Sequence, residues 1–296
     1  VIPLDTGRCT LFRYSGKTAR SDAAVLGSAV AFVRGRWVRR DCSEARLVGV
    51  DRRGRRCSVR IRAATPGSGI VFNETLRADI RLARVREHAT WLIDGRRRVG
   101  MVEHLLAACL GMGVQDLEVE TTGEELPLGD GSALPYVRLL RRSGAVRRWN
   151  GVLRLRKPLV VKSGSRFVAA MPGRALSVTC LAVVPGETPQ LCRTRVNPGD
   201  FAEKLAPART FGRHRGSLAA LRRRLALRFL LQRRSGWVVP RRRRFADEGC
   251  RHKALDLLGD LALLGRRVNA RFVAFCPGHE LNLALVRAIA QNLEVV

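Results

Sequence analysis

Asp247-Glu248-Gly249-Cys250-Arg251-His252-Lys253-Ala254-Leu255-Asp256-Leu257-Leu258-Gly259-Asp260 reads as a helix. Leu255, Leu258 and Ala262 recur at the spacing of an apolar stripe. His252, Asp256 and Asp260 follow one another at one helical turn and so share another face. An imidazole and a carboxylate one turn apart can bind one metal ion, and their nitrogen and oxygen donors suit zinc. Two protein ligands are one short of the three that a catalytic zinc site uses, so the third must come from another segment. Taken by itself, the motif is read more plainly as a hydrogen-bonded pair on an exposed helix surface.

The text on both sides of this helix alternates between strand and helix patterns. Residues 271–276 read as a strand, Pro277-Gly278-His279 as a tight turn and residues 281–293 as a closing helix. Upstream, residues 218–244 mix leucine with arginine and are open to reading as a basic amphipathic helix, while Ala208-Arg209-Thr210-Phe211-Gly212 stands apart. Strand patterns at 152–155, 159–161, 166–170 and 176–184 open this half.

In the first half, residues 57–62 alternate in strand fashion, and the turn signal Pro66-Gly67-Ser68-Gly69 joins them to residues 70–72 in an expected hairpin. Thr90-Trp91-Leu92-Ile93 leads through Asp94-Gly95 toward a helix over 101–111 that ends at glycine and carries Glu103 and His104 in its first turn. A strand at 117–120 and a glycine-rich turn opening a helix to residue 140 complete it. Strand-rich then helical text, once in each half, predicts an α+β protein of two similar domains, each a sheet layered with helices and facing the other. The expected division is an extension over 1–36, a first domain over 37–145 and a second over 146–296.

Composition narrows the function classes. A chain of 296 residues that is 46% hydrophobic can bury a substantial core and is not compositionally disordered. Its apolar runs fall short of the roughly 20 residues that span a bilayer. Its first residues lack a secretory signal pattern, so residence in the cytoplasm is expected. The eight cysteines are scattered without C-x-x-C pairs and read as reduced, mostly buried thiols. The net charge of +30, carried chiefly by arginine and densest at Arg222–Arg224 and Arg241–Arg244, attracts polyanions. Charge alone does not choose among nucleic acid, an anionic membrane face, a phosphorylated substrate and a merely solvated arginine surface.

Five motifs occur in order: Val102-Glu103-His104-Leu105, Asp130-Gly131-Ser132-Ala133, Ala208-Arg209-Thr210-Phe211-Gly212, the Asp247–Asp260 helix, and Gly278-His279-x-Leu281-Asn282. Together they resemble the UDP-3-O-acyl-N-acetylglucosamine deacetylase family, the zinc amidohydrolases that commit lipid A synthesis, over roughly residue 46 to the C-terminus. The resemblance implies that His104, His252 and Asp256 bind Zn2+ and leave a fourth position open. It implies that Glu103 is the general base and His279 the general acid, with Asp260 orienting and charging His279 and Thr210 helping to stabilise the oxyanion. It also implies that Lys253 and Phe211 contact substrate, while Asp130–Ala133 is read as a structural turn.

The chain departs from the family pattern in three places. The first-hairpin segment reads Gly49-Val50-Asp51-Arg52-Arg53-Gly54, without the usual histidine. Arg213 stands where a bulky apolar residue is usual, and arginine-rich text over 224–239 replaces the segment that lines the acyl-chain passage. The expected function is zinc-dependent deacetylation of a UDP-linked acylated amino sugar by a monomer, with possible peripheral contact to an anionic membrane surface. The competing reading is a repurposed relative that binds nucleic acid or anionic lipid through its arginines; a complete proton-transfer set argues against it.

Overall fold

The computed structural model describes residues 30–33, 36–39, 44–145, 151–184, 187–213, 231–234, 237–240 and 242–292. The architecture is α+β. In the first half, Glu44–Val50, Arg56–Ala63, Leu117–Thr121, Ile70–Phe72 and Leu76–Arg77 lie side by side in that order as a five-stranded sheet. The expected hairpin between residues 57–62 and 70–72 does not form. Leu117–Thr121 occupies the slot between them, antiparallel to one and parallel to the other. Its alternating Leu117 and Val119 are buried there, and Arg56–Ala63 turns back onto Glu44–Val50 instead. Across the boundary expected between the extension and the first domain, Val30–Val33 pairs with Arg36–Arg39.

A smaller antiparallel sheet, Ala83–Arg86, Ala89–Asp94 and Arg97–Gly100, delivers the chain to helix α1, Glu103–Met112. Every residue of α1 is buried, its glutamate and histidine included. The helix does not end at Gly111 as expected. A Cβ there would come within 2.1 Å of the Phe201 ring, so Gly111 is a packing residue, and Gly113, at φ 81°, supplies the left-handed cap. Helix α2, Leu134–Arg142, follows a turn in which Asp130 accepts from the amide and hydroxyl of Ser132.

The second half is built on Leu159–Ser163, Arg166–Pro172, Arg267–Phe275, Ser177–Ala182 and Gln190–Arg195, in that spatial order, with Val152–Arg154 pairing beside the start of Arg267–Phe275. Helix α3, Glu248–Leu261, packs on Ser177–Ala182 and Gln190–Arg195. Helix α4, His279–Gln291, packs on Leu159–Ser163 and Arg166–Pro172. His279 is therefore the first residue of a helix rather than the end of a turn, with Gly278 as its N-cap.

Helices α1 and α3 meet directly. A Cβ on Gly259 would lie 2.2 Å from the Glu103 carbonyl oxygen, so only glycine admits this approach. One buried helix from each half thus brings Glu103 and His104 against the face of α3 that carries His252, Asp256 and Asp260.

Gly212–Arg213, Trp237–Pro240 and Leu231–Arg234 form a three-stranded sheet. Within the 218–244 stretch open to reading as an amphipathic helix, the described residues 231–234 and 237–240 are strands, and Val238 and Pro240 favour extended backbone. Residues 214–230 lie outside the described residues, as do Cys9 and Cys42. The other six cysteines are free thiols, five of them buried. Among the described residues, no helix is long and apolar enough to cross a membrane.

Candidate active site

The side chains of His104, His252 and Asp256 converge although 148 residues separate the first two in sequence, and each can place one ligand atom within 4.8 Å of the other two. The Asp256 Oδ1 oxygen lies 3.3 Å from His252 Nε2 and 4.0 Å from His104 Nε2, and the two imidazoles stand edge-on with centroids 5.2 Å apart. His252 Nδ1 is 3.1 Å from the Ala208 carbonyl, to which it donates, which turns the lone pair of Nε2 toward the cluster. Lys253 Nζ donates to Asp256 Oδ2 at 2.8 Å and leaves Oδ1 facing the histidines.

Electrostatics favour the ligand form of each group. Burial, with His252 nearby, pushes the His104 imidazole down to about 3. Burial also lowers His252, so both rings are neutral at ordinary pH. Burial opposes the charge on Asp256, but His252 and Lys253 outweigh it and hold the carboxyl below its usual range. Two neutral imidazoles and one carboxylate are a donor set that fits zinc.

A second cluster adjoins the first. Glu103, next to His104 in sequence, is buried, and burial pushes its carboxyl up to about 7. Its Oε1 lies 3.9 Å from His279 Nε2. On the other side of that ring, Nδ1 donates to Asp260 Oδ2 at 2.8 Å. Burial opposes a charge on His279, yet Asp260, Asp256 and Glu103 together raise it to about 10. Glu103 can thus accept a proton near neutrality, while His279 carries one to donate from Nε2.

The loop from Ala208 to Phe211 flanks the metal-ligand trio. Buried Arg209 fixes it, with its backbone N–H and its Nε donating to Glu248 Oε1 at 3.0 and 2.8 Å. Thr210 N donates to the Gly131 carbonyl at 2.7 Å, and Gly131 itself sits at φ 82°. Arg244 bonds Asp130 Oδ2 at 2.7 Å and the Pro207 carbonyl at 2.8 Å. The Asp130–Ala133 turn therefore braces the threonine loop. The Phe211 ring lies 6.3 Å from that of His252 and 5.3 Å from Lys253 Nζ, so Phe211 and Lys253 stand together beside the trio.

Three contributors escaped the sequence reading. Thr90 is fully buried and its hydroxyl reaches both Asp260 and His279. Asn282, buried one turn after His279 on α4, donates to Asp260 Oδ2 at 2.9 Å. Glu248 holds Arg209. A threonine in a strand carries no signal of its own, whereas Asn282 and Glu248 lay inside quoted motifs and were legible once a buried carboxylate and a buried guanidinium are required to have partners.

The family described as UDP-3-O-acyl N-acetylglycosamine deacetylase matches residues 43–291. A UDP-3-O-acyl-N-acetylglucosamine deacetylase of Myxococcus xanthus (strain DK1622) is 35% identical over 261 residues, covering 81% of this chain and 81% of the relative. One of Thermosynechococcus vestitus is 37% identical over 225 residues, 73% of this chain and 78% of its own length, and one of Chlamydia pneumoniae is 29% identical over 260 residues, 82% and 92%. A match this long, spanning both buried helices and the strands that carry them, places the chain in the family of UDP-3-O-acyl-N-acetylglucosamine deacetylases.

Proposed function

We propose that this chain is a zinc-dependent amidohydrolase of the cytoplasm that removes the acetyl group from a UDP-linked, 3-O-acylated N-acetylglucosamine, releasing acetate and the free amine at an early committed step of lipid A biosynthesis. The observation that carries the reading is the convergence of a three-donor zinc set, His104, His252 and Asp256, with a raised carboxyl and a raised imidazole beside it. The name shared by the relatives supplies the substrate.

His104, His252 and Asp256 would hold zinc, which would supply Lewis acidity toward an amide carbonyl and a water molecule. The remaining chemistry belongs to this chain's own side chains. Glu103 takes a proton from the water that attacks the acetamide carbon as the new C–O bond forms. Negative charge then develops on the former carbonyl oxygen, and the Thr210 hydroxyl, on its braced loop, donates toward it. The C–N bond breaks only if nitrogen is protonated, because an amine does not depart as its anion; His279 Nε2 delivers that proton while Asp260 holds Nδ1. Phe211 and Lys253, paired beside His252, contact the substrate.

The test is to supply purified, zinc-loaded protein with UDP-3-O-acyl-N-acetylglucosamine and measure acetate alongside the free amine. Equimolar amounts of the two products are expected. No acetate from well-folded, zinc-loaded protein would contradict the proposal.

A further inference from the structure

Thr90 reaches both the Glu103 carboxylate and the Asp260–His279 pair. It lies at the start of the strand Ala89–Asp94, and no part of it meets solvent. Its backbone N–H donates to Glu103 Oε2 at 3.2 Å. Its hydroxyl donates to Asp260 Oδ1 at 2.6 Å and sits 3.1 Å from His279 Nδ1, where it is a second acceptor for the ring N–H that Asp260 Oδ2 receives at 2.8 Å. The imidazole N–H is thus gripped between a carboxylate and a hydroxyl that are themselves bonded. A β-branched side chain in a packed strand has few rotamers, which makes the grip rigid.

We infer that Thr90 is the positioning residue of this site: its hydroxyl fixes the plane of the His279 ring and the rotamer of Asp260 so that Nε2 faces the Glu103 carboxylate, whose second oxygen the Thr90 amide holds. The inference rests on the proposed roles of Glu103 and His279. A side chain that only filled space would be replaceable by valine, which has the same shape, the same preference for strands and the same backbone N–H. What valine lacks is the hydroxyl. In Thr90→Val, Asp260 Oδ1 loses a buried donor and the ring loses one of two restraints on its tilt. Thr90→Ser keeps the hydroxyl and loses only a methyl group.

The experiment compares kcat, KM and bound zinc for the wild type, Thr90→Val, Thr90→Ser, His279→Ala and the double variant Thr90→Val/His279→Ala. Outer partners that orient a functional imidazole are commonly worth about 10–100-fold in activity. Thr90→Val is expected to lower kcat by that factor with KM and zinc content unchanged, and Thr90→Ser to recover most of it. In the double variant, the valine is expected to add nothing to the loss caused by His279→Ala, because the hydroxyl acts through that ring. A valine penalty that multiplies that of His279→Ala, or a serine variant as impaired as valine, would make Thr90 a packing residue only. Normal turnover in His279→Ala would overturn the proposed role of His279 instead, and normal turnover in Thr90→Val with His279→Ala impaired would overturn the inference about Thr90 alone.

Discussion

Glu103 and His279 have the same problem, a titratable group in a dry site, and opposite solutions. Burial, against the opposing pull of His279, raises Glu103 to about 7, whereas His279, which burial would discharge, is carried up to about 10 by the carboxylates around it. The sign of the pH dependence follows. In the proposed mechanism the base works once Glu103 has lost its proton, and the acid works while His279 keeps its own. Turnover should therefore rise through about 7 and fall through about 10, with both limbs belonging to the coupled pair. Glu103→Ala and His279→Ala should each lower turnover roughly 10²–10⁴-fold with zinc still bound, since each removes a proton-transfer partner and neither removes a ligand. Asp260→Asn keeps the shape and removes the charge that sustains the imidazolium, so its alkaline limb should move to lower pH in the same pH–rate series. An alkaline limb unmoved in Asp260→Asn would show that some other group sets it.

At the scale of elements, the site depends on how closely α1 approaches α3. Gly259 abuts the backbone of Glu103, so a methyl group there has no flexible side chain to displace. Gly259→Ala gains about 1 kcal/mol of helix propensity but meets an overpacking cost of typically 1–3 kcal/mol. We expect a lower urea midpoint and a loss of activity larger than the stability change explains, because the helix that must shift carries Glu103 and His104. An unchanged midpoint and full activity would mean that the two helices can separate freely.

The same helices show what sequence can reveal. His252, Asp256 and Asp260 were readable as one face because helical spacing is local, and Glu103-His104 was readable as the start of a helix. Their burial was not readable, nor was the plain possibility of an exposed pair removable, until α1 was seen against them. Strand order is the contrasting case. Residues 57–62 and 70–72 look like neighbours because a turn joins them, yet Leu117–Thr121, far along the chain, wins the place between them. Local turn chemistry cannot report that competition. His279 shows a smaller failure of the same kind: Pro277-Gly278 signals a turn, and the signal does not say that the next residue already begins a helix.

Across the whole molecule, the three residues proposed to hold zinc come from distant parts of the chain, so the proposal links metal binding to cohesion of the fold. His252→Ala should lose most of its zinc at neutral pH, because a pair of donors binds far more weakly than three. Where zinc is bound, the midpoint of unfolding should rise with its free concentration, by about 2.7 kcal/mol at a hundredfold excess over Kd. The net charge of +30 acts at the same scale. If it recruits the diphosphate of the substrate, affinity for uridine diphosphate should fall steeply from about 0.1 to about 1 M salt, as the screening length shrinks from about 10 to about 3 Å. Salt-independent binding would leave the arginines as solvated surface.

The most direct measurement is a zinc titration of the metal-stripped chain, with acetate release and bound zinc read on the same samples for the wild type, His104→Ala and His252→Ala. The account predicts that wild-type activity climbs in proportion to bound zinc and levels off at one zinc per chain, and that both variants fail to reach that occupancy and stay inactive. Full turnover by zinc-free protein, or by either variant, would contradict it.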